Sequence, residues 1–90
     1  MSLIIITPQT TVATSGQFYV ASGAERIVSA KDLTGAEYVD ILVEHGSTFI
    51  PSGVENRLTA TNPVKAISGI GNFKVQKSAT TNPVSVAFAV

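Results

Sequence analysis

Apolar and non-apolar residues alternate one by one along the last segment of this chain. In VSVAFAV, Val84, Val86, Phe88 and Val90 share one face, while Ser85, Ala87 and Ala89 share the other. A period of two marks an extended strand with one buried face, and a helix, which repeats every 3.6 residues, cannot sustain it. The same alternation runs through EYVDILVEH, where Val39, Ile41 and Val43 oppose Tyr38, Asp40, Leu42 and Glu44. Leu58 and Ala60 against Thr59 and Thr61 repeat it on a smaller scale. GSTFIPSG reads as a short strand between turn formers, and QFYVA as another.

ERIVSA admits two readings. Ser22 and Glu25 stand at capping-box spacing, and Ala24, Ile27, Val28 and Lys31 fit a helical face. Clustered β-branched residues and alternating neighbours favour a strand, which makes KDLTGAE the connecting turn.

The tetrapeptide TNPV occurs at Thr61–Val64 and again at Thr81–Val84. Proline has no N–H for a ladder and pushes its predecessor toward extended backbone, so each copy is expected to open a strand. The copies diverge at once, so they do not form a solenoid repeat. Proline after both asparagines excludes N-glycosylation. Between the copies, Gly71-Asn72 has the chemistry of a two-residue type II′ turn. That turn predicts a hairpin with Val64, Ala66, Ser68, Ile70, Phe73 and Val75 on one face and Lys65, Lys74 and Gln76 on the other. Ile67 then falls on the polar face, where another strand or another subunit would have to cover it.

These segments predict an all-β fold, a small antiparallel β-sandwich or barrel of about eight short strands with regularly spaced turn signals. The 90 residues form one domain, with residues 1–8 an N-terminal arm or an edge strand. A chain of this size without cysteine has a small core and no disulfide to staple it, so oligomerisation is a natural supplement.

Charge narrows the function classes. Six basic and six acidic residues leave the chain formally neutral, and charged residues make up 13% of it, about half the usual share. The basic residues are dispersed, which argues against nucleic acid and against an anionic membrane. The run LIIITP is too short to span a bilayer and lacks the basic start of a signal peptide.

No catalytic pattern emerges. His45 is the single histidine, so one chain cannot supply a two-histidine metal site. Asp40 and Glu44 share a strand face about 13 Å apart, too far to share a metal or act as a hydrolytic pair, and read as solvated charges. There is no G-x-S-x-G motif, and Gly69-Ile70-Gly71 lacks the third glycine and the helix of a dinucleotide loop. The expectation is a protein that is not an enzyme, with no catalytic residue, metal or cofactor. Lys65, Lys74 and Lys77 read as solubilising surface charges.

Some features point to assembly. Leu3, Ile4, Ile5 and Ile6 form an apolar run without alternation, as in a strand buried on both faces or an arm that pairs with another chain. Ser85, Ala87 and Ala89 make a flat face of small residues that lets a second surface approach closely. The strand pattern continues to Val90, which would tie that end into a sheet. Leu3, Ile4, Ile5, Ile6, Ser85, Ala87 and Ala89, with Ile67, are the candidate protein interface.

Two longer stretches carry a resemblance. LTATNPVKAISGIGNFKVQKSATTNPVSVAFAV resembles the C-terminal part of small virion proteins of tailed bacteriophages, in which a G-x-G/Y-x-aromatic-basic-V-x-K-x-A-T hairpin precedes an alternating last strand. VSAKDLTGAEYVDILVEHGSTFIP is similar to their central part, with a D-L-x-G-x-E turn, a long strand and a short Thr-containing strand. The resemblance implies a compact β-sandwich that is part of a virion and brings no catalytic residues. It implies a capsid decoration (cement) protein on the capsid exterior, made in the host cytoplasm, a homo-oligomer (dimer or trimer) whose partner is the major capsid protein or another virion protein. The alternative is a head-fibre or tail-associated module that recognises a host glycan or another virion protein.

Overall fold

A computed structural model describes residues 2–89, with side chains from Leu3 onward, and places ten short strands in two antiparallel sheets. The expected anchoring of Val90 lies outside the described residues. The strands are β1 (Ser2–Gln9), β2 (Ala13–Thr14), β3 (Phe18–Val20), β4 (Glu25–Lys31), β5 (Tyr38–His45), β6 (Thr48–Pro51), β7 (Leu58–Thr59), β8 (Val64–Ser68), β9 (Gly71–Lys77) and β10 (Val84–Ala89). One sheet, here called the front sheet, has the order β1-β10-β4-β8. In the back sheet the order is β2-β9-β5-β6, with β3 also paired to β9 and β7 also paired to β5.

β2 and β3 are two pieces of one edge strand, since both pair with β9. They separate at Ser15, whose hydroxyl accepts the Val75 N–H at 3.0 Å while its own N–H donates to the Val75 carbonyl at 2.8 Å. A side-chain oxygen thus stands in for a backbone carbonyl and lets the chain leave the ladder. β6 and β7 likewise divide the opposite edge, with a single 3-10 turn at Val54–Asn56 between them.

Counted as strand positions, ten strands become eight, and the two sheets read 1-8-3-6 and 2-7-4-5. Positions 1 and 8, 2 and 7, 3 and 6, and 4 and 5 are neighbours, as in one long hairpin with its tip between β5 and β6. Rolling that hairpin up brings β10 against β4 and β9 against β5. This is the jelly-roll topology, an eight-stranded double sheet. The sandwich or barrel expected from periodicity is therefore present.

The core lies between the sheets. Val28, Val84, Val86 and Phe88 of the front sheet face Val20, Val39, Ile41 and Val75 of the back sheet. Phe18 joins them, stacked 5.3 Å from Phe88 and 6.3 Å from Phe73, centroid to centroid. A buried Val or Phe side chain contributes roughly 1.5–3 kcal/mol, so this interlayer holds the small domain together. The segment that also offered a helix is strand β4, and both TNPV copies end where a strand begins, at Val64 and Val84.

The expected hairpin after the first TNPV does not form. β8 pairs with β4 in the front sheet, whereas β9 pairs with β5 in the back sheet. Gly69 and Gly71 serve the corner between sheets, with φ of 116° and 138°, values closed to residues with a Cβ. The facing of β8 inverts as a consequence. Ile67 is core at 5% exposure, and Ile70 and Val64 lie outside at 66% and 55%. A single alternating run fits either face, and once β8 joins the front sheet its bulkiest side chain takes the interior.

Candidate functional site

The outward face of the front sheet carries the residues with the most interaction potential. The register aligns Ile4, Ala87, Ser29 and Val64 in one row across all four strands. Beside that row, Ser2 pairs with Ala89 and Ile27 with Ala66. Neither row contains a charged residue. Ile4, Val64 and Ile27 are 52%, 55% and 38% exposed, so the face is apolar as well as uncharged. Lys31, paired with Ser85, and Glu25, paired with Ser68, bound it at opposite ends of β4.

Strands about 4.8 Å apart and rows about 6.6 Å apart give this face an area on the order of 250 Å². A stable protein interface buries about 800 Å² on each partner. The face is therefore a centre for an interface that draws further surface from the sheet edges.

The sequence-predicted interface residues divide between two environments. Leu3, Ile4 and Ala89 are exposed, and Ile5, Ser85 and Ala87 are half-buried. Ile6 and Ile67 are core residues, which removes both from the outward face. The reason at Ile6 is a pair of register shifts in β1, between Ile4 and Ile6 and between Ile6 and Gln9. These bulges turn Ile4 outward opposite Ala87 and Ile6 inward opposite Val86. Residues 2–8 belong to an edge strand held along β10. Ile27 and Val64 were missed. Ile27 and Val28 are adjacent β-branched residues on opposite faces of β4, so either can be read as the inward one, and Val64 was placed inward by the hairpin.

A groove of about 430 Å³ opens on the side where β8 and β6, edges of opposite sheets, fail to meet. Ile41, Val43, Ile67 and Phe73 line its apolar wall, with Ser52 and Lys65 among its polar groups. Lys65 is the one charged residue lining it and makes no ion pair among the described residues.

The charges read as solvated behave differently. Asp40 is 8% exposed and accepts the Arg57 Nε–H at 2.5 Å. That bond raises the Arg57 guanidinium above its ordinary value. The guanidinium also lies 3.8 Å over the Tyr38 ring, so both partners of the pair are held by packing. Lys74 places its ammonium 4.5 Å from the Phe49 ring on β6, across a buried Leu42. Lys77 is completely buried and donates to the carbonyls of Thr11 at 2.6 Å and Ser78 at 2.9 Å. Desolvation pushes its ammonium below the ordinary 10.5, while Glu37 opposes that shift. These groups tie loops and sheet faces together. Among the described residues no three His, Cys, Asp or Glu side chains converge on a metal-sized site.

A scan against protein-family models, a search of curated proteins and a search of solved structures each find no match to this chain.

Proposed function

We propose that this chain is a non-enzymatic structural protein of a tailed-phage virion, a capsid decoration protein that binds between coat subunits. The observation that carries the reading is the uncharged outward face of the front sheet, with Ile4, Ile27 and Val64 exposed on it. An uncharged, partly apolar face favours a protein contact over a charged ligand, and its area becomes that of an interface only with the adjoining sheet edges. The sequence resemblance directs the choice of partner toward coat subunits. The jelly roll is shared by capsid proteins and lectins, so the choice rests on surface chemistry.

The test is sedimentation of the purified protein with heads of the virus that encodes it. Wild-type protein is expected to pellet at a fixed ratio to coat subunits and to raise the temperature at which heads rupture. The double variant Ile27→Lys, Val64→Lys is expected to fold and stay in the supernatant. Wild-type protein that fails to pellet with the heads overturns the proposal.

One observation favours a fibre-borne glycan-binding module. Tyr19 is 54% exposed on the outward face of the back sheet, beside Asn72, whose amide donates to Glu44 at 3.3 Å. An aromatic ring next to an amide and a carboxylate can stack on a sugar and bind its hydroxyls. Binding on a glycan array that Tyr19→Ala abolishes, without head binding, selects this reading.

A further inference from the structure

The four sheet edges are not equivalent. β1 is interrupted by two register shifts and contains Pro8. The opposite edge of the back sheet is divided into β2 and β3, of two and three residues. β6 ends in Pro51, and the chain then leaves the edge for the 3-10 turn. Bulges, prolines, short strands and inward-pointing charges are devices by which sheets avoid pairing with other chains. β8 has no bulge and no proline along its five residues, Val64–Ser68, and the one such device it carries is Lys65, which faces the groove.

The free hydrogen-bonding groups of β8 follow from one bond and the register. Ala30 donates its N–H to the Pro63 carbonyl at 2.9 Å, and Ser29 pairs with Val64. In an antiparallel ladder, bonded and non-bonded pairs alternate. Lys65 and Ile67, in step with Pro63, therefore bond back to β4. Val64, Ala66 and Ser68 direct their N–H and C=O groups to the unpaired side, and all three are exposed. That side borders the groove, so a strand added there sends alternate side chains toward Ile41, Val43 and Ile67.

We infer that the free edge of β8 is a strand-addition site for an extended segment of a partner protein, with apolar residues at alternate positions and an acidic residue facing Lys65. Main-chain bonds from Val64, Ala66 and Ser68 supply affinity, and the groove selects side chains. Lys65 supplies the choice of partner. A second copy of β8 in antiparallel register centred on Ala66 would bring two Lys65 side chains onto the same groove face about 8 Å apart. Like charges so placed disfavour self-pairing, and an acidic partner residue reverses the sign. This site uses the main-chain groups of Val64 and Ala66, whose side chains lie on the outward face of the front sheet, and it does not depend on the partner being a coat subunit.

The probe is the capped peptide Ac-TVTETVT-NH2, titrated into the isotope-labelled full chain and followed by amide chemical shifts and hydrogen exchange. Saturable shifts at Val64, Ala66 and Ser68, with slowed exchange of the same amides, are expected. The peptide Ac-TVTKTVT-NH2 is expected to bind about tenfold more weakly, and Lys65→Glu to invert that order. Ala66→Pro removes the central free donor without removing a bond to β4, and is expected to weaken binding at least about tenfold with the thermal midpoint retained. If Ala66→Pro unfolds, the Lys65→Glu exchange decides alone. Equal binding of the two peptides, no saturation at about 2 mM, shifts confined to β1, β4 and β10 on the outward face, or self-association through β8 without peptide each overturn the inference.

Discussion

Lys77 donates its ammonium to the carbonyl oxygen of Thr11, 66 residues earlier in the chain, at 2.6 Å. The bond closes one end of the sandwich. It joins the β1–β2 turn to the end of β9, and Thr80 repeats the link one residue back by donating its N–H to Thr10 at 2.9 Å. Glu37, on the β4–β5 connection, accepts the Thr81 N–H at 2.7 Å and completes the closure. Three connections distant in sequence are thereby held together by bonds that are not part of the sheet ladders.

Replacing Lys77 by Met keeps most of the buried volume but leaves the Thr11 and Ser78 carbonyls without their donor. A loss of about 1–3 kcal/mol is expected in urea unfolding. The pH dependence has a definite sign. The folded-state ammonium titrates below 10.5, so the unfolded chain binds more protons between the lowered value and 10.5. Wild-type stability should therefore rise through that window relative to Lys77→Met. A difference between the two proteins that stays flat with pH contradicts a buried charged lysine.

Glu37 predicts the opposite limb. Backbone N–H groups of Thr34 and Thr81 lower its carboxyl below 4.5. The stabilisation is present above 4.5 and lost as pH falls through the depressed folded value. Acid unfolding of Glu37→Gln should lack this component, while the wild type retains it. Identical acid limbs for the two proteins would show that the two N–H bonds do not distinguish the charged form.

The facing of β8 is tested by truncation. Ile67→Ala empties core volume and is expected to lose about 2–5 kcal/mol. Val64→Ala and Ile70→Ala remove exposed side chains and should stay within about 0.5 kcal/mol of wild type. The reverse ranking, measured by chemical denaturation, would restore the β8–β9 hairpin.

Ser15→Ala removes the hydroxyl that accepts the Val75 N–H where the back-sheet edge divides. Ser15 is 6% exposed and Val75 is fully buried, so the amide has no ready solvent partner. The expected loss is about 1–3 kcal/mol, with faster hydrogen exchange at Val75. Unchanged exchange there would mean that another acceptor replaces the hydroxyl.

Most of the strand content was legible in period two, because a half-buried sheet needs it. Val84, Val86 and Phe88 were placed inward by phase alone, and TNPV marked two strand starts because proline cannot serve a central ladder. Partner choice was not legible. The glycines around Ile70 fit a tight turn and a corner between sheets equally well, and the local pattern holds no information about where β4 lies. The burial of Lys77 was visible in its phase with Phe73 and Val75, but its charge argued for solvent. Its acceptors are backbone carbonyls, which no sequence pattern displays. The outward face of the front sheet was legible on β10, through Ser85, Ala87 and Ala89. Its extension to Ile27 and Val64 required knowing which strands lie beside β10.

The broken edges of this jelly roll have a consequence for stoichiometry. A chain that offered two regular edges would link to a copy on each side and grow into a fibre. Here β1 is bulged, both outer strands of the back sheet are divided, and only β8 runs unbroken. Strand addition of the kind inferred for β8 would therefore be monovalent: it would end an array and not extend one.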